Sequence, residues 1–263
     1  MRIWGKVLGV LLGFMAGGPI GALFGGWLGH KFDVGLGIDF QAFNQQNAQT
    51  RQQSYFRATF SIMGHIAKAS GRVSEDEIAF AKQAMRKWGL NQEMVTLAQD
   101  AFSQGKSSEF SLAKQLQDLK RSCFGRHDLI QMFIEIQIQA AFADGDLHPK
   151  EREILHKIAR SMGVSSRELD MLLDRIVAGE QFHQQGSSFS PGQAKQHLAN
   201  AYKVLGVSAD ADAKDIKKAY RKLMSQHHPD KLVAKGLPPE LMEDAKQKAQ
   251  DIQAAYELIT SQK

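Results

Sequence analysis

Residues 212–230, DAKDIKKAYRKLMSQHHPD, predict a helix that is followed by a sharp turn. Asp212 is a suitable N-cap, and apolar or aromatic side chains then recur at helical spacing. These positions are Ile216, Ala219, Tyr220, Leu223 and His227. Pro229 cannot continue the helical hydrogen bonds and disfavours the α conformation at His228, so we expect the helix to end at His227.

The opposite face of this helix is basic. Five basic residues, Lys214, Lys217, Lys218, Arg221 and Lys222, stand against two acidic ones between Asp212 and His227. The common interpretation of such a face is solvated surface. A nucleic-acid interface is a weaker alternative, because no aromatic side chains are interleaved with these cations.

The flanking segments are also predicted to be helical. One helix is expected to start at Ser190-Pro191 and to end at Leu205, before Gly206. Another starts near Pro238 and carries apolar residues at helical spacing as far as Ile259. We expect it to pair with the basic helix as an antiparallel hairpin, in which the two apolar stripes are buried against each other.

Four motifs in order make residues 200–260 resemble a J-domain, the module by which DnaJ-type co-chaperones stimulate Hsp70. They are 201–207 (AYKVLGV), 216–223 (IKKAYRKL), 228–230 (HPD) and 255–258 (AYEL). The resemblance implies that His228, Pro229 and Asp230 trigger ATP hydrolysis by Hsp70. It also implies a docking face formed by Lys217, Lys218, Arg221, Lys222 and Lys231. The sequence departs from the family in having Ala249 where a Phe is usual.

Metal and cofactor chemistry find little support in this segment. His227, His228 and Asp230 are possible ligands, but adjacent histidines rarely converge on one ion and no cysteine or further histidine is nearby. We therefore predict no metal site and no cofactor. The chain has a single cysteine, Cys123, which excludes an internal disulfide and argues against a structural zinc site. A net charge of +5 in 263 residues indicates no dedicated polyanion partner, so no nucleic acid is expected.

The N-terminal region predicts a transmembrane helix at residues 7–29, which contain no charged residue. A helix of this length, at ~1.5 Å per residue, crosses a hydrocarbon layer of ~30 Å. Glycine recurs at every fourth position, which favours close helix–helix contact in lipid and hence a homodimer. The row comprises Gly5, Gly9, Gly13, Gly17, Gly21, Gly25 and Gly29. A cleaved signal peptide or a glycine-rich soluble segment are the alternatives.

The orientation of this span is predicted in opposite senses by two arguments. Arg2 and Lys6 outweigh Lys31, which by the positive-inside tendency keeps the N-terminus in the cytoplasm. A J-domain instead needs ATP-bound Hsp70 and hence a cytoplasmic C-terminus. The overall architecture resembles the single-pass DnaJ-like protein A family of Gram-negative inner membranes. That resemblance implies a periplasmic N-terminus and cytoplasmic domains.

An internal repeat occupies the middle of the chain. An offset of 74 residues aligns 69–73 (ASGRV) with 143–147 (ADGDL) and several apolar positions on either side. Each copy predicts a helix, a glycine turn and a capped second helix, with Ser74 and Glu77 forming a capping box in the first copy and Pro149 starting the helix in the second. The alternating residues 134–139 also fit a strand, but the repeat favours a helix.

This region resembles the TerB-like domain of tellurite-resistance proteins, chiefly through the motif at residues 141–151. Its Asp144, Asp146 and Glu151 are possible ligands for a hard cation. The alternative is structural: Asp144 caps a turn, and Glu151 lies in the first turn of a helix.

These predictions combine into an all-α membrane protein that is not itself an enzyme. The predicted segments are a tail (1–6), a transmembrane helix (7–29), a polar Gln-rich tether (30–54), a TerB-like domain (55–180), a linker (181–196) and a J-domain (197–263). The predicted function is that of an inner-membrane, stress-related co-chaperone that stimulates a DnaK-type Hsp70 and recruits protein clients. The alternative is a membrane-anchored signalling or scaffold protein that acts through its TerB-like domain.

Overall fold

The computed structural model describes residues 10–12, 18, 21–24, 27, 40–69, 71, 73–184 and 191–262. The regular secondary structure in these ranges is helical throughout, and the described residues form no strand. The predicted all-α class is therefore confirmed. The chain divides into two compact units, Met1–Gln49 and Thr50–Lys263.

The first unit contains the predicted transmembrane segment. Its described residues between 10 and 27 are helical, and their large apolar side chains are exposed. No helix among the residues that the structure describes is long and apolar enough to cross a bilayer. Of the glycine row, Gly21 is described and helical. Gly5, Gly9, Gly13, Gly17, Gly25 and Gly29 lie outside the described residues, so the self-association surface stays a prediction.

Helix bounds are as follows. The α-helices of the described chain are α1 (Phe40–Ala69), α2 (Glu75–Lys87), α3 (Gln92–Gly105), α4 (Leu112–Ser122), α5 (His127–Ala141), α6 (Pro149–Met162), α7 (Ser166–Gln184), α8 (Pro191–Leu205), α9 (Ala213–His227), α10 (Pro229–Lys235) and α11 (Met242–Ser261). A short 3₁₀ helix, Pro239–Leu241, precedes α11.

The two polar segments differ from their predicted conformations. The predicted tether is helical from Phe40 onwards, because its Gln, Ala and Arg residues form helices readily and no proline or glycine interrupts them before Tyr55. The predicted linker is shortened from both sides. Helix α7 runs on to Gln184, and α8 begins at Pro191, as predicted for that helix start.

The repeat prediction is confirmed in its local chemistry. Ser74 and Glu77 form the predicted capping box of α2, and Pro149 lies in the first turn of α6. Gly71 and its repeat partner Gly145 both adopt positive φ, at 112° and 88°. Since this conformation is unfavourable for residues with a side chain, glycine permits the same turn in both copies.

Helix α5 is the central element of the TerB-like region. Eleven of its residues are buried, including Ile134, Ile136 and Ile138 of the segment that also resembled a strand. A helix that is apolar on nearly every side is one surrounded by other elements. Glu135 and Gln137 are buried among these apolar residues, at 1% and 0% exposure, and therefore need polar partners.

In the J-domain region, helices α8, α9 and α11 enclose a core of their own. Tyr220 of α9 stacks on Tyr256 of α11 with ring centroids 4.3 Å apart. Phe182 of α7 joins this core and stacks on His197 of α8 at 4.2 Å. The residue therefore belongs to the packed structure, although it falls within the predicted linker.

The hairpin prediction needs one correction. Leu232, Leu237, Leu241 and Ala245 are fully buried, and they belong to the TerB-like core rather than to the J-domain core. The apolar stripe of α11 is thus divided: its first turn packs on the TerB-like domain, and the remainder packs on α8 and α9. The two helices α9 and α11 do not bury their stripes against each other alone.

Candidate functional site

The His228-Pro229-Asp230 loop is the junction between α9 and α10. His228 has φ −63° and ψ 122°, so it is extended as predicted, and Pro229 occupies the first turn of α10. Asp230 is exposed in that same turn, where the positive end of the helix dipole favours a carboxylate. His228 is half-buried, and its Nδ1 atom is buried without a hydrogen-bond partner among the described residues.

The basic face of α9 lies where the sequence predicts it. Asp212 caps the helix by accepting a hydrogen bond from the backbone N–H of Asp215 at 2.7 Å. Ile216, Leu223 and His227 turn inward and are buried. The five predicted docking residues are all exposed: Lys217, Lys218, Arg221, Lys222 and Lys231. The Nζ of Lys231 donates to the Oγ of Ser225 at 2.9 Å, which holds this cation beside the end of α9.

The residue before the loop, His227, has a different environment. It is 3% exposed, and its Nε2 lies 3.6 Å from Oε1 of Glu135 on α5. Gln131, one turn earlier on α5, donates to the same Glu135 oxygen at 3.0 Å and lies 3.3 Å from His227 Nε2. Lys248 of α11 places its Nζ 3.5 Å from the other carboxylate oxygen. A buried polar cluster therefore joins three helices from both domains.

Charge within this cluster is governed by burial and pairing together. Burial alone would raise the pKa of the Glu135 carboxyl, but His227, Lys248, the Gln131 hydrogen bond and Arg175 outweigh it and lower the pKa to about 2. Burial lowers the pKa of His227, and this effect exceeds the opposing attraction of Glu135. At neutral pH the cluster thus holds a carboxylate, a lysine and a neutral imidazole.

Two further polar contacts flank the cluster. Lys235, the last residue of α10, forms an ion pair with Asp128 at the start of α5. Asp244 of α11 accepts a hydrogen bond from Trp88 Nε1 at 2.7 Å and forms an ion pair with Lys87. These contacts connect the J-domain with two different helices of the TerB-like domain.

The apolar part of this junction was not predicted from the sequence. Leu232, Leu237 and Leu241 lie in the connection after the HPD loop, a place where surface residues are ordinarily polar. The sequence does contain a signal for this junction: several large apolar residues in a connecting segment indicate that another part of the protein covers them.

Several of the possible metal ligands make structural contacts instead. His227 faces Glu135 across the domain junction, whereas Asp230 is exposed. The Oδ1 of Asp144 accepts from the N–H of Asp146, and Glu151 completes a capping box with His148. Within the described ranges, no group of three or more His, Cys, Asp or Glu side chains is arranged to hold a metal ion.

Comparison with protein families gives three matches in order along the chain. The model described as "Co-chaperone DjlA transmembrane domain" matches residues 1–39. The model described as "Tellurite resistance protein TerB" matches residues 56–173, and the "DnaJ domain" model matches residues 200–263.

Several relatives that match over the full length of the chain share one name. "Co-chaperone protein DjlA" of Yersinia pestis is 51% identical over 275 residues, covering 100% of this chain and 99% of that protein. The proteins of that name from Photobacterium profundum and Escherichia coli K12 are each 48% identical, over 274 and 270 residues. They cover 99% and 100% of this chain, respectively, and 99% of their own length. No solved structure matches the chain.

Proposed function

The chain belongs to the DjlA family of co-chaperones, and we propose that its J-domain stimulates ATP hydrolysis by a DnaK-type Hsp70 at the inner membrane. His228, Pro229 and Asp230 form the triggering loop. Lys217, Lys218, Arg221, Lys222 and Lys231 form the docking face. The observation that carries this proposal is that all five cations and Asp230 are exposed, whereas His227 and Leu232, which lie on either side of residues 228–231 in the sequence, are buried.

The arrangement suits transient recognition of an acidic partner. Exposed cations on one helix face accelerate encounter with a negatively charged surface, and salt weakens this effect. A short loop that is fixed at both ends contributes geometry rather than long-range attraction. The cations then set the association rate, and the loop determines the response of the partner.

The N-terminal region supplies the location. The family's transmembrane domain spans residues 1–39, which supports anchorage in a bilayer. In our proposal the N-terminus is periplasmic, and the TerB-like domain and J-domain are cytoplasmic, where ATP-bound Hsp70 is available. The glycine row holds two copies together in the membrane, and the TerB-like domain recruits protein clients.

The decisive experiment measures single-turnover ATP hydrolysis by a bacterial Hsp70 with the full chain reconstituted in lipid nanodiscs. We expect the wild-type chain to accelerate hydrolysis and His228→Gln to return the rate to its basal value. The matched control is His127→Gln, an exposed histidine in the TerB-like domain, which should stimulate as the wild type does. Equal stimulation by His228→Gln and the wild type would show that the loop is not the trigger.

Topology and self-association have separate tests. Protease added to the periplasmic side of right-side-out vesicles should leave the C-terminal domains intact, and their digestion would reverse the proposed orientation. Replacement of Gly13, Gly17 and Gly21 by Leu should abolish dimers in a membrane-association assay. Unchanged dimerisation would exclude the glycine row as the contact.

A further inference from the structure

The HPD loop is held at both of its ends by the TerB-like domain. On the N-terminal side, His227 is buried against Glu135 and Gln131 of α5. On the C-terminal side, Leu232 is fully buried in the TerB-like core, and Lys235 pairs with Asp128 at the start of α5. Residues 228–231 lie between these two anchors, and one helix provides the polar contacts for both.

The backbone transmits the anchoring directly to the loop. His228 follows His227 without an intervening residue, and its carbonyl accepts a hydrogen bond from the N–H of Leu232 at 3.1 Å. The N–H of Leu237 in turn donates to the carbonyl of Leu232 at 2.9 Å. A displacement of His227 therefore shifts His228, and the fixed position of Leu232 limits where the loop can go.

The buried carboxylate of Glu135 contacts two helices of the J-domain. A buried ion pair is rarely the most stabilising solution, because desolvation offsets most of its attraction, and apolar residues of similar size often stabilise as much. What a buried charge does provide is directionality: Glu135 reaches His227 of α9 and Lys248 of α11 with its two different oxygens. This arrangement sets the position of α9 relative to α11 and to α5.

We propose that Glu135 of the TerB-like domain is a positioning residue for the His228-Pro229-Asp230 loop, and that it acts through Gln131 and His227. The inference rests on the proposed stimulation of Hsp70. It adds that the TerB-like domain takes part in that stimulation by orienting the trigger. The activity of the J-domain in this chain then depends on a side chain of the neighbouring TerB-like domain.

The test separates triggering from docking. Stimulation of single-turnover ATP hydrolysis is measured against the concentration of the full chain in nanodiscs, which gives a maximal rate and a half-saturating concentration. For Glu135→Gln we expect the maximal stimulation to fall about tenfold, since variants along a coupling route change it by roughly 2- to 30-fold. The half-saturating concentration should stay within about twofold, because the docking cations are untouched.

Matched variants distinguish positioning from loss of fold. Glu77→Gln alters another buried carboxylate, which accepts hydrogen bonds from the N–H and the Oγ of Ser74 within the TerB-like domain, and it should stimulate as the wild type does. Glu135→Asp restores the charge and should recover part of the loss. If Glu135→Gln proves too unstable to assay, Gln131→Met provides a second test. It replaces a half-buried side chain by an apolar one of similar size, and it should also lower the maximal rate of stimulation.

The possible outcomes are distinct. A full maximal rate for Glu135→Gln, together with an inactive His228→Gln, would overturn the positioning role and leave the proposed function intact. A raised half-saturating concentration with an unchanged maximal rate would also overturn it, because that pattern indicates a smaller folded fraction. If the wild-type chain fails to stimulate Hsp70, both the proposed function and the inference are wrong.

Discussion

The residues around the HPD loop divide into a free flank, formed by the five exposed cations of the J-domain, and a buried flank, formed by His227, Leu232, Leu237 and their neighbours in contact with the TerB-like domain. The change occurs within a few residues: His227 is 3% exposed, Asp230 and Lys231 are exposed, and Leu232 is buried again. The free flank has the charge and accessibility of a surface for a transient partner. The buried flank has the apolar packing and paired charges of a permanent contact. The difference indicates that the loop is presented by two domains and not by the J-domain alone.

The largest expected effect tests the buried flank. Leu237→Ala removes a fully buried side chain from the shared core and should lower the free energy of unfolding by about 2–5 kcal/mol. Leu97→Ala, at a position that is 52% exposed, should change it by less than about 0.5 kcal/mol. Urea unfolding of the full chain in detergent micelles, followed by circular dichroism, measures both. Similar values for the two variants would mean that the segment after the loop is not part of the core.

The free flank is tested next by reversing its charge. Replacement of Lys217, Lys218, Arg221 and Lys222 by Glu should raise the half-saturating concentration for Hsp70 stimulation by roughly 10- to 100-fold at low salt. The difference should shrink as salt is added, because these side chains are exposed. The melting temperature should change little, since none of them is in the core.

A control for that variant matches its change in net charge. Four exposed cations of the TerB-like domain are replaced by Glu instead, namely Lys82, Arg86, Lys114 and Lys150. If this control weakens stimulation as much as the reversal on α9 does, then overall charge matters and the face of α9 has no special role.

The third effect is smaller and concerns a single hydrogen bond across the buried flank. Trp88→Phe keeps an aromatic ring beside Phe60 but removes the indole N–H that donates a hydrogen bond to Asp244. This loss should lower the free energy of unfolding by about 1–2 kcal/mol. Lys87→Ala removes the other partner of Asp244, a lysine that is 42% exposed, and should cost less than about 1 kcal/mol. Urea unfolding of both variants measures the two losses in free energy of unfolding. A larger loss for Lys87→Ala would mean that the ion pair, not the tryptophan, secures α11.

The contrast between the flanks also explains what the sequence could and could not reveal. The free flank depends on local signals, because Asp212 caps α9, Pro229 ends it, and the spacing of Ile216 and Leu223 orients its basic face. Each of these acts within a few residues and is visible in the order of amino acids. The position of the loop and the exposure of the four docking residues on α9 followed from them.

The buried flank depends on contacts between distant parts of the chain. The sequence shows that Leu232 and Leu237 are apolar and that α5 is apolar on nearly every side, but not that they pack together. The pairing of Glu135 with His227 leaves no local pattern, since a helix period does not specify a partner on another helix. The same reasoning explains why the stripe of α11 was assigned to α9 alone.

The smallest expected effect is a pH dependence that belongs to the buried flank. Burial lowers the pKa of His227 below its ordinary value of 6.5, and the neighbouring Lys248 and Arg175 act in the same direction, while Glu135 and Asp128 oppose them. As pH falls below 6.5, the unfolded imidazole binds a proton before the folded one does. The stability that neutral His227 contributes is therefore present above pH 6.5 and is lost as pH falls through its lowered pKa.

His227→Gln should accordingly flatten the decline of stability just below pH 6.5, by up to about 1.4 kcal/mol per pH unit. In the wild-type chain Glu135 has a pKa of about 2 and stays ionised over this range; in the variant, Lys248, Gln131 and Arg175 are the groups that still favour its ionised form. Urea unfolding at a series of pH values gives the slope, and His127→Gln, on the exposed first turn of α5, should leave the slope unchanged. Equal slopes for the His227 variant and the wild type would place a protonated imidazole beside Glu135 in the folded chain. Glu135 and His227 would then form a full ion pair over this range, and the attraction between their charges would hold α9 against α5.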